Sequence, residues 1–244
     1  MDFQIGDVVS KTFGAVSRNF TVFFLLSLVM VGVPTFLVSL FQLNAYSAGE
    51  TPFAVNPAMF VIALIVNVAA AYILQGAIIH GAVADFSGKR ANLNDCISTG
   101  LRHALPLFAV AILVTLGMML GMMLLIVPGV ILAIMWSVAV PVQVAENSGI
   151  TQALGRSRAL TKNNRWKIFG LFVILVILSY VIGIVITVPA LALGGPGTIF
   201  SALLQTLASV LSSVVGAVGV AALYFQLRSS KEGIGAEALA KVFE

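Results

Sequence analysis

The sequence predicts an all-α integral membrane protein that crosses the bilayer about six times, as three hairpins each preceded by an amphipathic helix. Its low charge, its long uncharged stretches and the one-sided placement of its basic residues carry that prediction. Only 9% of the 244 residues are charged and 60% are hydrophobic, for a mean hydropathy of +1.09. A soluble domain carries about 25% charged residues to wet its surface. A chain this apolar is solvated by lipid. Helices are the form it takes there, because β-barrel strands would alternate polar and apolar residues in segments of about ten.

Four stretches lack Asp, Glu, Lys and Arg: 19–49, 51–84, 103–145 and 168–227. A spanning helix takes about 20 residues, so the first two stretches hold one span each and the last two hold two. Pro128-Gly129 divides the third stretch and Gly194-Gly195-Pro196-Gly197 the fourth, both being turn-forming sequences. The predicted spans are Phe20–Leu43, Ala58–Ala84, Leu105–Val127, Val130–Ala145, Ile168–Leu193 and Ile199–Leu227. The first exceeds the roughly 7–15-residue core of a signal peptide and reads as a retained span. The fourth has only 16 residues and fits a tilted or re-entrant helix.

With six spans, all thirteen basic residues fall on one side, from Lys11 and Arg18 through Lys89, Arg90 and Arg102 to Lys241, and Glu50 is the only charge on the other. The positive-inside rule makes the basic side cytoplasmic and places both termini there. The net charge of +4 therefore addresses anionic lipid headgroups and not nucleic acid. One cysteine, Cys96, leaves no internal disulfide and no metal-type cysteine spacing.

Three segments on the basic side are amphipathic at 100° per residue. The first gathers Ile5, Val8, Val9, Thr12, Phe13, Val16 and Phe20 on one face. The second gathers Leu93, Cys96, Ile97, Gly100, Leu101 and Ala104, and the third Ile150, Ala153, Leu154, Ser157, Leu160 and Thr161. Each precedes a span carrying Val-Pro, at 33–34, 127–128 and 188–189, and then a return span. This is a threefold layout with units near 1–86, 87–147 and 148–244.

The candidate functional residues fall into three groups. Arg156, Arg158, Lys162, Arg165, Trp166 and Lys167 form the most basic run and suit anionic headgroups, with Trp166 as an interface anchor. Asn67, Gln75, His80, Gln143, Glu146 and Gln205 are polar positions in or closing the spans, where such groups line a pathway or bond between helices. Glu146 is placed for an ion pair with Arg156 or Arg158, and Asp85, just before Lys89-Arg90, reads the same way. Gly117 and Gly121, like Ala77 and Gly81, make small surfaces for close helix packing. Met118, Met119, Met122 and Met123 either fill gaps or offer thioethers to Cu(I); no Cys or His accompanies them, and no cofactor or metal site is predicted. No nucleophile–base–acid set or acidic pair suggests catalysis.

Ile126-Val127-Pro128-Gly129-Val130, Trp136, Pro141 and Glu146, followed by Ala153-Leu154-Gly155-Arg156-Ser157, Leu160-Thr161 and Asn164-Arg165-Trp166-Lys167, carry a family likeness. So do Ile5-Gly6-Asp7-Val8, Tyr224-Phe225-Gln226-Leu227-Arg228 and Lys231-Glu232-Gly233. Together they resemble the membrane domain attached to some bacterial glycerophosphodiester phosphodiesterases and the related stand-alone YciC-like proteins. The resemblance implies a bacterial inner-membrane protein without its own hydrolase. The leading expectation is a non-enzymatic role in membrane lipid or envelope homeostasis, with anionic lipids as partners. The alternatives are a small-molecule or ion transporter or channel, and an assembly partner of itself or another membrane protein.

Overall fold

The computed structural model describes residues 3–47, 57–86, 88–195 and 198–233, and every regular element among them is helical. The first unit is α1 (Ile5–Arg18), a span made of α2 (Phe20–Ser27), a π-helical turn at Leu28–Gly32 and α3 (Val33–Ser47), and a return helix α4 (Pro57–Phe86). The second is α5 (Leu93–Arg102), α6 (Ala104–Leu124), and a return span divided into α7 (Ile126–Trp136) and α8 (Ala139–Glu146). The third is α9 (Ile150–Thr161), α10 (Arg165–Gly194) and α11 (Ile199–Glu232). Six stretches are long and apolar enough to cross a membrane: Phe20–Leu40, Pro57–Phe86, Ala104–Leu124, Ile126–Glu146, Arg165–Pro189 and Ile199–Glu232. The chain is a multi-span helical membrane protein laid out as three amphipathic helices, each followed by a hairpin. Glu50, Pro196, Gly197 and Lys241 lie outside the described residues.

Prolines shape the spans. Pro34 has no N–H to offer the carbonyl four residues back, and the π-helical turn sits just before it, where the ladder is interrupted. The second hairpin turns three residues earlier than the Pro128-Gly129 sequence suggests. Leu125 is extended, with φ −164° and ψ 147°, and Pro128 belongs to the first turn of α7, where its missing N–H would be unbonded anyway. That shift lengthens the fourth span to 21 residues, about 30 Å at helical rise. It is interrupted at Ser137 and Val138, before Pro141. The Ser157 hydroxyl, from α9, donates to the Met135 carbonyl at 2.8 Å beside that interruption.

The core centres on α11, whose residues Val214 to Leu227 are almost all buried. It touches α1, the first span, α4, α8, α9 and α10, whereas α10 packs chiefly on α11. Small residues allow the close approaches. Gly81 meets Phe23 and Cys96, Gly100 meets the α4 backbone near Ala77, and Gly121 faces Gly129 across the second hairpin.

The amphipathic helices pack through narrower faces than their apolar stripes. α1 buries Val8, Thr12 and Ala15 but leaves Phe13 exposed, and Phe20 just beyond it is exposed too. α5 buries Cys96 and Gly100 but leaves Leu101 exposed. α9 buries Ala153, Ser157, Leu160 and Thr161. The outer edges of the first two stripes are thus left for another apolar surface, while no residue of the α9 stripe is exposed.

Candidate functional site

All three return spans end in a carboxylate followed by a left-handed backbone position. Asp85 precedes Gly88 (φ +79°), Glu146 precedes Asn147 (φ 46°), and Glu232 precedes Gly233 (φ +65°). A negative charge at a helix C-terminus opposes the helix dipole by about 0.3–1 kcal/mol. An arginine meets each one. Arg18 grips Asp85 with two hydrogen bonds, Nε to Oδ1 at 2.9 Å and Nη2 to Oδ2 at 2.5 Å. Asn19 donates to the same Oδ1 at 2.7 Å and accepts from the Ala91 amide at 3.0 Å. The end of α1 is thereby tied to the end of α4 and to the entry of α5.

Glu146 and Glu232 belong to a closed ring of five side chains. Arg156 Nε donates to both Glu146 oxygens, at 3.2 and 3.1 Å, and its Nη2 donates to Glu232. Arg228 Nε donates to Glu232 Oε2 at 3.0 Å and its Nη1 to the Tyr224 hydroxyl at 3.0 Å; that hydroxyl donates to Glu146 at 3.2 Å. Desolvation works against the Arg156 charge, but the Glu232 and Glu146 carboxylates outweigh it and raise its pKa. The ring joins α8, α9 and α11 with two positive and two negative groups. Arg158 takes no part: it is exposed and makes no ion pair among the described residues. The periodicity Tyr224, Arg228, Glu232 puts three ring members on one helix face, a signal available in sequence. A second is the recurrence of Val83-Ala84-Asp85-Phe86-Ser87-Gly88 as Val144-Ala145-Glu146-Asn147-Ser148-Gly149, which marks the two acids as equivalent.

A third polar link fixes α1 to the end of α11. Gln226 donates to Asp7 at 3.2 Å and accepts from Lys11 at 2.8 Å, and the Lys11 ammonium lies 4.4 Å from the Phe225 ring centroid. Burial lowers the Lys11 pKa and Asp7 partly offsets it. Cys96 is wholly buried; desolvation, followed by the Asp95 charge, pushes its thiol up to about 12. It is a packing residue rather than a nucleophile.

The basic run divides by partner. Arg156 is engaged by carboxylates, and Lys167 Nζ donates to the Phe3 carbonyl at 3.1 Å. Lys162, like Arg158, is exposed with no ion pair among the described residues, and Trp166 is 86% exposed, edge-on to Phe169. Arg165 is half-buried, and its Nε has no hydrogen-bond partner among the described residues.

The polar span residues do not share one channel. Asn67 accepts from Thr35 at 3.3 Å and donates to the Ala63 carbonyl at 2.9 Å. His80 is half-buried near the basic end of α4, Gln143 is buried in α8, and Gln205 is exposed on α11. Gln75 alone of the six lines the large cavities. Gly117 and Gly121 pack within their own hairpin, against Trp136 and Gly129. The methionines diverge: Met118 and Met122 line a cleft, with Met122 exposed at its rim, while Met119 and Met123 are exposed away from it.

That cleft is one of three apolar cavities around α10. A cavity of about 480 Å³ lies between α6–α8 and α10, floored by Tyr72 and Gln75 of α4. A second of about 480 Å³ shares Val130, Ile134 and Phe169 with it and extends along α7 to Arg165 and Trp166. A third of about 520 Å³ lies on the other side of α10, against α4 and α11, and shares Gln75. Their walls are almost entirely apolar, and their volumes suit small-molecule sites of about 300–1,000 Å³.

The chain is similar to a UPF0259 membrane protein of Pectobacterium carotovorum subsp. carotovorum, with 31% identity over 142 residues, or 58% of this chain and 55% of that protein. The match thus spans little more than half the length of this curated bacterial relative. No family model matches the chain, and no solved structure matches it.

Proposed function

We propose that this chain is a non-enzymatic inner-membrane protein whose basic end lies in the cytoplasm and binds anionic lipid, in the service of membrane lipid or envelope homeostasis. The observation that carries the reading is the division of its bases. Arg156 and Arg18 are spent on carboxylates, whereas Arg158, Lys162 and Trp166 stay exposed beside an amphipathic helix that is firmly docked. Exposed Phe13 and Leu101 on α1 and α5 give the same end apolar contacts for the bilayer. The likeness to the YciC-like membrane domains agrees with this reading.

Native mass spectrometry of the protein from nanodiscs of mixed phosphatidylglycerol and phosphatidylcholine tests it. Enrichment of phosphatidylglycerol that Arg158→Glu/Lys162→Glu reduces is the expected result. Equal retention of both lipids by the parent protein overturns it. Fluorescent-protein fusions at both termini should glow, as cytoplasmic placement requires.

A transporter is the second reading, favoured by Gln75 at the junction of two cavities. Flux in proteoliposomes that Gln75→Leu abolishes would establish it.

A further inference from the structure

We infer that the cleft between α7 and α10 holds one acyl chain of an anionic phospholipid, with Arg165 as the headgroup contact and Trp166 at its mouth. The inference rests on the lipid-binding reading above and gives it a defined site. Three observations support it.

The first is an unmet donor. Arg165 Nε is enclosed, yet it has no hydrogen-bond partner among the described residues. An enclosed guanidinium N–H without an acceptor is costly, and a phosphate oxygen is the acceptor that best fits its planar donor fork. Glu146 and Glu232 do not compete, since they are held by Arg156 and Arg228.

The second is the shape of the space. Arg165, Trp166 and Phe169 form one turn of α10 facing Ile126, Val127, Val130, Ile131 and Ile134 of α7. From there the apolar wall continues past Phe172, Val173, Val176 and Ile177. Those α10 positions run over about 18 Å of helix at 1.5 Å per residue, a narrow apolar trough with its only cation at one end. A chain with a charged head matches that polarity, whereas a uniformly apolar helix from another protein would leave Arg165 unmet.

The third is the packing of α10. It leans chiefly on α11 and barely touches α7, so the trough stays open sideways, the direction from which lipid arrives. Tyr72 and Gln75 of α4 form its floor.

The two tryptophans, Trp136 and Trp166, are the only ones in the chain, and Trp136 lines the cleft. In full-length Trp166→Phe protein in phosphatidylcholine vesicles, Trp136 fluorescence is titrated with chain-brominated phosphatidylglycerol or chain-brominated phosphatidylcholine. Phosphatidylglycerol should quench at roughly tenfold lower mole fraction or better, the scale of one charge-assisted hydrogen bond. Arg165→Gln should erase that preference and Arg158→Gln should keep it. Ala133→Phe, which fills the cleft, should reduce quenching by both lipids. A preference that follows Arg158 and ignores Arg165 overturns the cleft while leaving a lipid-attracting surface. Equal quenching by the two lipids in the Trp166→Phe protein, or none by either because another chain occupies the trough, overturns the cleft too.

Discussion

Replacing Arg156 with alanine should be the most damaging surface-level change in the chain. It would strip the common partner from Glu146 and Glu232, whose side chains are only 21% and 23% exposed. A freely exposed ion pair contributes about 0–1 kcal/mol, and breaking a fully buried one costs about 3–5 kcal/mol. Arg156 itself is 34% exposed, so the loss falls between, at about 2 kcal/mol. Part of it comes from leaving Glu146 against its own helix dipole, worth about 0.3–1 kcal/mol. For a chain of this size that is roughly 4–8 °C in Tm. Arg158→Ala, two residues away and unpaired among the described residues, should change stability by less than about 0.5 kcal/mol. Thermal unfolding in mild detergent reads both, and a cycle with Glu146→Gln should return a coupling of about 1 kcal/mol. If Arg156→Ala and Arg158→Ala were indistinguishable, or the cycle were additive, the ring would not hold α9 to the bundle.

Two further outcomes follow from packing and titration. Gly117→Val should destabilise by about 2 kcal/mol or fail to express, because its Cβ would lie 2.3 Å from the Trp136 ring. Gly183→Ala, with nothing within 4 Å, should be neutral or stabilising by roughly 0.5 kcal/mol, measured by the same unfolding assay. Cys96 should resist iodoacetamide in the folded protein at pH 8.5 and react after denaturation. Its thiol, pushed up to about 12 by burial, keeps thiolate about three decades scarcer than at the ordinary pKa near 8.5. The neutral thiol is favoured in the fold, so this contribution is intact below the unfolded pKa and is lost as pH rises from there towards about 12. Rapid labelling of the native protein would show that Cys96 is reached by solvent.

The span count and the basic side were legible because charge is so scarce that its placement is informative. Boundaries were less so. Pro128-Gly129 reads as a turn by composition, but a proline in a first helical turn gives up nothing, so the chain folds back at Leu125 instead. The apolar stripes on α1 and α5 were visible, but not which of their residues the bundle would cover. Phe13 and Leu101 belong to the stripes by angle yet stay outside, since packing selects the small residues that let helices approach. The Glu146–Arg156 pair could be anticipated from spacing along the chain. Tyr224, Arg228 and Glu232 could not be joined to it, because their partners lie 76 and 78 residues away and no local period encodes that closure. Arg165 looked like its basic neighbours; only the three-dimensional enclosure of its Nε separates it from Arg158.

The three carboxylates at the return-span ends explain how one cluster of bases can do two jobs. A helix gains nothing from an acid at its C-terminus, so intrinsic helix stability does not account for Asp85, Glu146 and Glu232. Each instead recruits an arginine: Arg18 beside the end of α1, Arg156 from the middle of α9, and Arg228 from α11 itself. Two of those contacts fasten amphipathic helices to the bundle end. Once fastened, α9 cannot turn Arg158 or Lys162 inward to seek acids, and the next helix begins with Arg165 held at the mouth of the cleft. Fixed, unsatisfied cations beside an apolar trough bind a charged amphiphile with less ordering cost than mobile ones would. The same logic disfavours a transport path through the bundle centre. There Val218 to Leu227, nearest the charged end of α11, are buried, and the open space lies at the periphery, on either side of α10.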